Sequence, residues 1–161
     1  MDFTVRAARD DDAEGLIALI GACFAEYPGC VLDVDRESPD LRAIATAYRD
    51  RGGKFWVADR EARIIASVGV VPASDPSGAE LQKLYVAADS RRLRLATRLC
   101  ILVEEEAQAM GAVFVDLWSD TRFDSAHRLY EKLGYTRGAD TRELHDLSDS
   151  VEFYFRKEIR I

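Results

Sequence analysis

The sequence predicts an α+β (mixed α/β) fold in which helices pack on a central sheet. Two kinds of apolar pattern alternate along the 161 residues. In some segments apolar side chains recur every three or four residues, as in amphipathic helices, and in others short runs rich in Val, Ile and aromatic residues indicate strands. Their order is βααβββαβαββ, with no repeat and no Gly/Ser linker between them. We therefore expect residues 1–161 to form one domain.

The first half begins with a short strand and two helices. Residues 3–7 alternate as a strand does. Three aspartates at positions 10–12 then place acids at the first turn of a helix whose apolar stripe runs to Phe24. The Ser-Pro pair at 38–39 supplies the cap and the first residue of a second helix, which ends near Asp50. Three strands separated by turn residues follow, at 54–58, 64–71 and 79–86.

The second half contains the strongest helical segment, residues 90–110. Its apolar side chains repeat at spacings of three and four up to the stop at Gly111. Residues 112–118 are almost continuously apolar, as in a strand that is buried on both faces of a sheet. A further helix is predicted over 123–133. Two final strands flank a polar stretch, near 135–137 and 151–156.

The composition disfavours several classes of protein. A formal charge of −7 repels phosphate backbones, so we expect no nucleic-acid partner. The first residues do not resemble a secretory signal and no run of about 18 apolar residues occurs, so we expect a cytoplasmic protein without a membrane partner. Three cysteines and two histidines without ligand spacing disfavour both a disulfide framework and a metal site.

The most informative segment lies where the strand at 79–86 leads into the next helix. Four arginines occupy this helix start: Arg91, Arg92, Arg94 and Arg98. Cations at a helix N-terminus oppose the helix dipole, each at a cost of about 0.3–1 kcal/mol. A solvated charged surface is one interpretation of such a cluster. The unfavourable sign instead indicates an anionic ligand, since free N–H groups at a helix start bind phosphate and guanidinium groups reinforce them.

Two further motifs accompany the arginines: Leu84-Tyr85-Val86 and Ala126-x-x-Leu129-Tyr130-x-x-Leu133-Gly134-Tyr135. In this order, and separated by a buried strand, the three motifs resemble the GNAT superfamily of N-acetyltransferases. The resemblance covers nearly the whole chain, including the order of its elements. It implies a mostly antiparallel, twisted central sheet of about six to seven strands flanked by about four helices.

The resemblance also implies that acetyl-CoA is the co-substrate. The pantetheine arm would lie between the strand at 80–86 and the strand at 113–118, which would splay apart. Backbone groups of the first strand would bind the arm's amides, and an N–H group near Val86 would stabilise the oxyanion. The residues expected at the cofactor are Leu84, Tyr85, Val86, Arg91, Arg92, Leu93, Arg94, Leu95, Ala96, Thr97, Phe123 and Ala126.

Three positions depart from the family's pattern. Arg92 and Arg94 stand where glycines usually let the backbone approach the pyrophosphate, and Phe123 stands where an asparagine is often found. Two outcomes are physically open for Arg94. Its guanidinium contacts phosphate, or its side chain crowds the site and weakens binding.

The catalytic residues implied by the resemblance are Glu80 and Tyr130. Glu80 would act as the general base that deprotonates the attacking amine through a water molecule, and Tyr130 would protonate the leaving thiolate. The alternative for Glu80 is a solvated carboxylate at a strand edge. The alternative for Tyr130 is an aromatic side chain that packs its helix on the sheet.

The acceptor is expected to be a primary amine of a small molecule or peptide, attacking directly in a ternary complex. Candidate acceptor residues are Tyr27, Trp118, His127 and His145. Packing is the alternative for Trp118, and a surface position is the alternative for His127. The competing functions are an acyl-CoA-binding sensor and a non-catalytic interaction domain of the same fold, and a homodimer through the last strands is possible in either case.

Overall fold

The computed structural model describes residues 2–159 and contains seven strands and five α-helices. The strands are β1 (Thr4–Ala7), β2 (Lys54–Arg60), β3 (Arg63–Pro72), β4 (Ala79–Val86), β5 (Phe114–Asp120), β6 (Thr136–Glu143) and β7 (Val151–Glu158). The helices are α1 (Ala13–Ala25), α2 (Val34–Glu37), α3 (Ile44–Asp50), α4 (Leu95–Ala109) and α5 (Asp124–Lys132). Short 3₁₀ segments precede α1, α3 and α4.

All seven strands form one sheet in the order β1-β2-β3-β4-β5-β7-β6. Every neighbouring pair is antiparallel except β4 and β5, which are parallel. The parallel pairing is confined to Ala79–Val115 and Glu80–Asp116. The two strands therefore diverge beyond Glu80, as the resemblance implied, and leave an opening in the middle of the sheet.

The helices cover both faces of this sheet. On one face α1 and α3 meet β4: Phe24 packs edge-on against Tyr85, and the Tyr48 hydroxyl donates to the Gln82 side chain at 2.7 Å. On the other face α5 places Tyr130 against Phe155. Each apolar helix stripe thus buries its side chains against the sheet, in a core that includes Leu16, Ile65, Leu99, Val103 and Leu117.

The N-terminal strand is tied to the first helix by a buried ion pair. Arg6 donates to both oxygens of Asp12 at 2.8 and 2.9 Å, and the Arg9 amide donates to the same carboxylate at 2.7 Å. Burial opposes ionisation of Asp12, but these donors prevail and lower its pKa. The acidic residues before α1 therefore anchor the helix start.

Several boundaries differ from those that the sequence predicted. The helix predicted over 90–110 is broken, because a 3₁₀ segment over Ala88–Leu93 ends at Arg94 in the left-handed conformation and α4 starts at Leu95. The segment predicted as one helix over 38–50 is likewise a 3₁₀ turn over Pro39–Ala43 followed by α3. The strand predicted at 135–137 extends to Glu143, since pairing with β7 stabilises polar residues that carry no strand pattern. The one-turn helix α2 lies in a predicted loop.

Candidate active site

A groove of about 380 Å³ passes through the opening beside β4. It is formed by the end of α1, the end of β4, the start of α4 and the first turns of α5. Its lining residues are Cys23, Tyr27, Leu84, Tyr85, Val86, Arg91, Arg92, Arg94, Ala96, Thr97, Phe123, Ser125, Ala126 and Leu129. The groove therefore joins both faces of the sheet, and most of the predicted cofactor residues lie along it.

Two predicted cofactor residues lie outside the groove lining. The Leu95 side chain is fully buried in the core, so only its backbone faces the helix start, and Leu93 faces a different groove. Three lining residues were not predicted: Cys23, Ser125 and Leu129. The helical spacing of Cys23 from Tyr27, and of Leu129 from Ala126, is the sequence signal that would have identified two of them.

The start of α4 presents unpaired backbone donors to the groove. The Arg98 amide, which donates to the Arg94 carbonyl at 3.1 Å, is the first to enter the helical pattern, so those of residues 95–97 precede it. Arg94 has φ 58° and ψ 25°, a left-handed conformation that glycine adopts without steric cost. The backbone thus keeps the turn that the missing glycine would favour, even though a side chain is present.

The arginines at this turn divide into two kinds. Arg91 is bound: its guanidinium donates to both oxygens of Glu26 at 2.6 Å and to the Val86 carbonyl at 3.2 Å. Arg92 and Arg94 are exposed, and neither has a hydrogen-bond or ion-pair partner among residues 2–159. The groove mouth therefore carries two uncompensated guanidinium groups.

A bulge in β4 faces the opening. The β3–β4 register shifts between Ser67 and Gly69, and Lys83 has φ 54° at this point. The Ser67 hydroxyl donates to the Lys83 carbonyl at 2.8 Å and holds the bulge in place. A bulge twists the strand and redirects its backbone groups, which here lie beside the groove residues Leu84 and Tyr85.

Glu80 lies at the narrow end of the opening. Its side chain is on the face of the sheet that α1 and α3 cover, which we call the α3 face. Its carboxylate accepts a hydrogen bond from Gln82 at 3.0 Å, and Asp116 stands opposite it on β5. Tyr154 donates to one Asp116 oxygen at 2.8 Å, whereas the other is buried without a partner in the described chain. Burial, aided by the charge of Glu80, raises the pKa of Asp116. Glu80 is therefore next to a second carboxylate that the sequence did not suggest.

Tyr130 is buried at the sheet face of α5 rather than in the groove lining. Its ring contacts Tyr135 and Phe155 at centroid distances of 5.9 and 5.5 Å. Burial raises the pKa of its phenol well above the ordinary value, so the hydroxyl keeps its proton. The same effect raises the pKa of the Cys23 thiol, which disfavours a thiolate nucleophile in the groove.

The α3 face of the sheet carries aromatic and acidic side chains next to Glu80. Trp118 stacks at a tilt on Tyr154, with ring centroids 5.0 Å apart, and the Arg142 guanidinium lies 4.3 Å from the Trp118 ring. Arg142 also donates to Glu152 at 2.7 Å. Burial raises the pKa of Glu152 despite this donor. The face combines rings and carboxylates, a combination that suits a cation.

The remaining predicted acceptor residues lie in three different environments. Tyr27 lines the groove and packs on Phe123 at 4.9 Å. His127 is buried on the opposite face from Trp118, where it bonds Ser119 at 3.1 Å and contacts Phe153 and Phe155; the surface position considered for it is therefore wrong. His145 is exposed in the β6–β7 loop. Only Tyr27 among these side chains lies in the groove.

Within residues 2–159, no cluster of three or more His, Cys, Asp or Glu side chains is arranged to hold a metal ion. No helix in that range is both long and apolar enough to cross a membrane.

The sequence profile described as "Acetyltransferase (GNAT) family" matches residues 15–135. The chain is 30% identical over 128 residues to "Probable N-acetyltransferase camello" of Xenopus tropicalis, an alignment that covers 76% of this chain and 58% of that protein. The chain spans 58% of that protein, 59% of the "Uncharacterized N-acetyltransferase YjgM" of Escherichia coli and 45% of the human "N-acetyltransferase 8".

Solved structures share the fold. An acetyltransferase of the GNAT family from Staphylococcus aureus Mu50 superposes with a TM-score of 0.82 at 19% identity, covering 99% of this chain and all of the other. The Salmonella typhimurium protein yncA, described as a putative acetyltransferase with its cofactor acetyl-CoA, superposes with a TM-score of 0.75 at 13% identity, covering 100% and 96%.

Proposed function

The chain belongs to the GNAT family of acetyltransferases, and we propose that it transfers the acetyl group of acetyl-CoA to a primary amine of a small molecule or peptide. The observation that carries this proposal is the groove through the sheet, which ends at a helix start whose first amides and two of whose arginines have no partner within the described chain. The extended, amide-containing arm of CoA matches the groove through the sheet, and its phosphate groups match the helix start.

Acetyl-CoA is supported as the co-substrate by the chemistry of the groove wall. The pyrophosphate would bind the amides of residues 95–97, with Thr97 at their side. The pantetheine arm would run between β4 and β5, where the unpaired backbone edge of β4 supplies partners for its amides. The exposed guanidinium groups of Arg92 and Arg94 would add charge-assisted contacts to phosphate.

Glu80 is our choice of general base. An alkyl ammonium must lose a proton before its nitrogen attacks the thioester carbonyl carbon, and Glu80 would accept that proton through water. Attack would form the nitrogen–carbon bond first and place negative charge on the thioester oxygen, which a backbone N–H near Val86 would hold. The carbon–sulfur bond would then break and release the thiolate. Asp116, opposite Glu80, adds negative charge that favours a cationic acceptor at this point.

Tyr130 would donate its proton to the departing thiolate. The raised pKa of its phenol supports an acid role, because the group is protonated at neutral pH. Its burial outside the groove lining favours a second candidate, in which the protein binds acyl-CoA as a sensor without efficient transfer.

The three free cysteines fit a reducing compartment, so we place either activity in the cytoplasm.

Steady-state kinetics with acetyl-CoA and a panel of primary amines tests the proposal. Replacing Glu80→Gln or Tyr130→Phe should each lower kcat by about 10²–10⁴-fold while leaving CoA affinity unchanged. Glu61→Gln, in an exposed turn, is the matched control and should have no effect. Saturable binding without acetylated product in the wild type would establish the sensor instead, and an unchanged rate in either variant would remove that residue from the mechanism.

A further inference from the structure

Arg142 places one of the protein's own cations on the α3 face of the sheet. Its guanidinium carbon lies 4.3 Å from the centroid of the Trp118 ring, and its Nε donates to Glu152 at 2.7 Å. Trp118 and Glu152 thus form a site, here called the ring–carboxylate site, that holds a guanidinium group through an aromatic face and a charge. The occupant shows which chemistry this site accepts, namely a cation with N–H donors.

The two partners in this site differ in how firmly they are fixed. The Arg142 side chain is 43% exposed, and Glu152 is its only hydrogen-bond partner among residues 2–159. Arg142 also belongs to β6, the edge strand of the sheet. Glu152, by contrast, is only 16% exposed, and a largely buried carboxylate needs a cation beside it. A ligand cation that offers Glu152 an equivalent donor can therefore replace Arg142.

The ring–carboxylate site lies along β5 from the proposed general base. Asp116 stands opposite Glu80. Trp118 follows Asp116 by two residues on the same face of the strand, and Glu152 pairs with Asp120, which follows by four. At about 3.3 Å per residue, the site is about 7–13 Å from Asp116. One ligand of that length would contact both places.

Glu152 is also close to the groove through the sheet. Burial raises the pKa of the Tyr85 phenol, and the neighbouring Cys23 and Glu152 add to this shift. Tyr85 and Cys23 both line the groove in which the thioester would lie. A ligand can therefore extend from the groove to Glu152 along one face of the sheet.

We propose that the acceptor carries a second cationic group, which binds at the ring–carboxylate site in place of Arg142 while its primary amine reacts beside Glu80. The proposal rests on the proposed function, which places the reacting amine at Glu80. At about 3.5 Å for every three bonds of an extended chain, a separation of about 7–13 Å corresponds to about six to eleven bonds. Diamines with about five to ten carbons between their nitrogens meet this requirement.

Steady-state kinetics with acetyl-CoA and matched pairs of amines tests the proposal. The kcat/KM for 1,8-diaminooctane should exceed that for octylamine about tenfold, mainly through KM, as expected for one charge-assisted contact. This exceeds the statistical gain from two equivalent amines. 1,3-Diaminopropane should have no such advantage over propylamine, because its chain is too short to contact both places. A short peptide with a basic third residue, compared with its neutral analogue, shows whether a peptide also supplies the second cation.

The outcomes separate this proposal from the proposed function. Equal kcat/KM values for 1,8-diaminooctane and octylamine, with both acetylated, would overturn the second-cation site and leave the acetyltransferase function in place. Acetylation of neither amine nor of any other would refute the proposed function, and the site with it.

Two arginines of β6 supply matched variants. Glu152→Gln should remove the diamine advantage, whereas Arg142→Gln should increase it severalfold because the competing cation is absent. Arg137→Gln is the control, since Arg137 lies on the same strand but stacks on Phe153, 4.1 Å from its centroid, on the α5 face. Loss of the advantage in Arg142→Gln, or an equal change in Arg137→Gln, would overturn the displacement of Arg142 and the proposal.

Tryptophan fluorescence gives a readout that does not depend on turnover. The chain has two tryptophans, so Trp56→Phe leaves Trp118 as the only reporter. With saturating CoA in place of acetyl-CoA, 1,8-diaminooctane should change the Trp118 emission more than octylamine does, because only the diamine displaces Arg142 from the ring. Unchanged emission at diamine concentrations well above its KM would overturn the proposal.

Discussion

The arginines at the start of α4 and Arg122, which lies beside the β6–β7 loop, are in opposite environments. Arg92 and Arg94 extend from the α4 start without a partner in the described chain. Arg122, by contrast, donates three hydrogen bonds to Asp120 and a further one, at 2.9 Å, to the Ser148 carbonyl. One region carries uncompensated charge, and the other uses charge to hold two loops together.

Hydrogen bonds around Arg122 join the β6–β7 loop to the segment after α1 at the edge of the α3 face. Ser148 exchanges hydrogen bonds with both backbone groups of Val31, and the Leu147 amide donates to Glu37. Arg122 donates to the Ser148 carbonyl and, at 3.5 Å, to the Pro28 carbonyl, so it also ties the loop after β6 to the segment after α1. The difference between the regions indicates that an arginine's role follows from the partners that the fold supplies, and that unpaired arginines mark where a ligand supplies them.

The largest expected effect is on the bound arginines. Arg122→Met should lower the free energy of unfolding by about 3 kcal/mol, because it leaves the buried Asp120 carboxylate without its main partner. Chemical denaturation measures the change. Arg42→Met is the control, since that arginine and its partner Asp35 are 57% and 78% exposed and its loss should cost about 1 kcal/mol or less. Equal losses in the two variants would contradict the distinction between rim and surface arginines.

The unpaired arginines should show the reverse behaviour. Arg92→Gln and Arg94→Gln should each weaken CoA binding by about tenfold, because each removes a charge-assisted phosphate contact. Neither should change the free energy of unfolding by more than about 0.5 kcal/mol, since no partner is lost in the protein. Calorimetry and denaturation of the same samples measure both quantities. Tighter CoA binding in the Arg94 variant would show that this side chain obstructs the site.

Arg94→Gly separates the backbone from the charge. Glycine relieves the left-handed conformation, so the variant should be more stable than Arg94→Gln by about 1 kcal/mol. Both variants lack the guanidinium group and should bind CoA with similar affinity if charge dominates. Thermal melts without ligand make the comparison. Identical melting temperatures would indicate that the turn carries no conformational strain.

The smallest effect concerns an acid on the α3 face. Because burial raises the pKa of Asp116, the folded state holds its proton to higher pH than the unfolded state does. This contribution to stability is present at acidic pH and is lost as the pH rises through the raised pKa. Asparagine does not ionise, so Asp116→Asn should avoid the loss of stability at higher pH. The variant should be more stable than the wild type at pH 7 by under about 1 kcal/mol. Denaturation between pH 4 and about 7, with the exposed Asp140→Asn as control, checks the sign.

Elements with a strong local pattern were predicted closely. The bounds of β4 agree residue for residue, α5 differs by one residue at each end, and α4 ends within one residue of its predicted end, since apolar periodicity and terminal glycines are local signals. The start of α4 lies five residues later than predicted. The length of β6 was not predictable, because its residues are exposed and polar and its order depends on pairing with β7. The left-handed Arg94 was missed for the related reason that nothing in its own side chain favours that conformation.

The sequence by itself determined the order of elements, the arginine-rich helix start and the family, because these depend on neighbours along the chain. Only the tertiary structure decided that Arg91 is bound by Glu26, 65 positions away, while Arg92 and Arg94 have no partner among residues 2–159. It also decided that Asp116 lies opposite Glu80. Coulombic and hydrogen-bond energies fall steeply with distance, so the state of each charge depends on which distant segments the fold brings within a few ångströms.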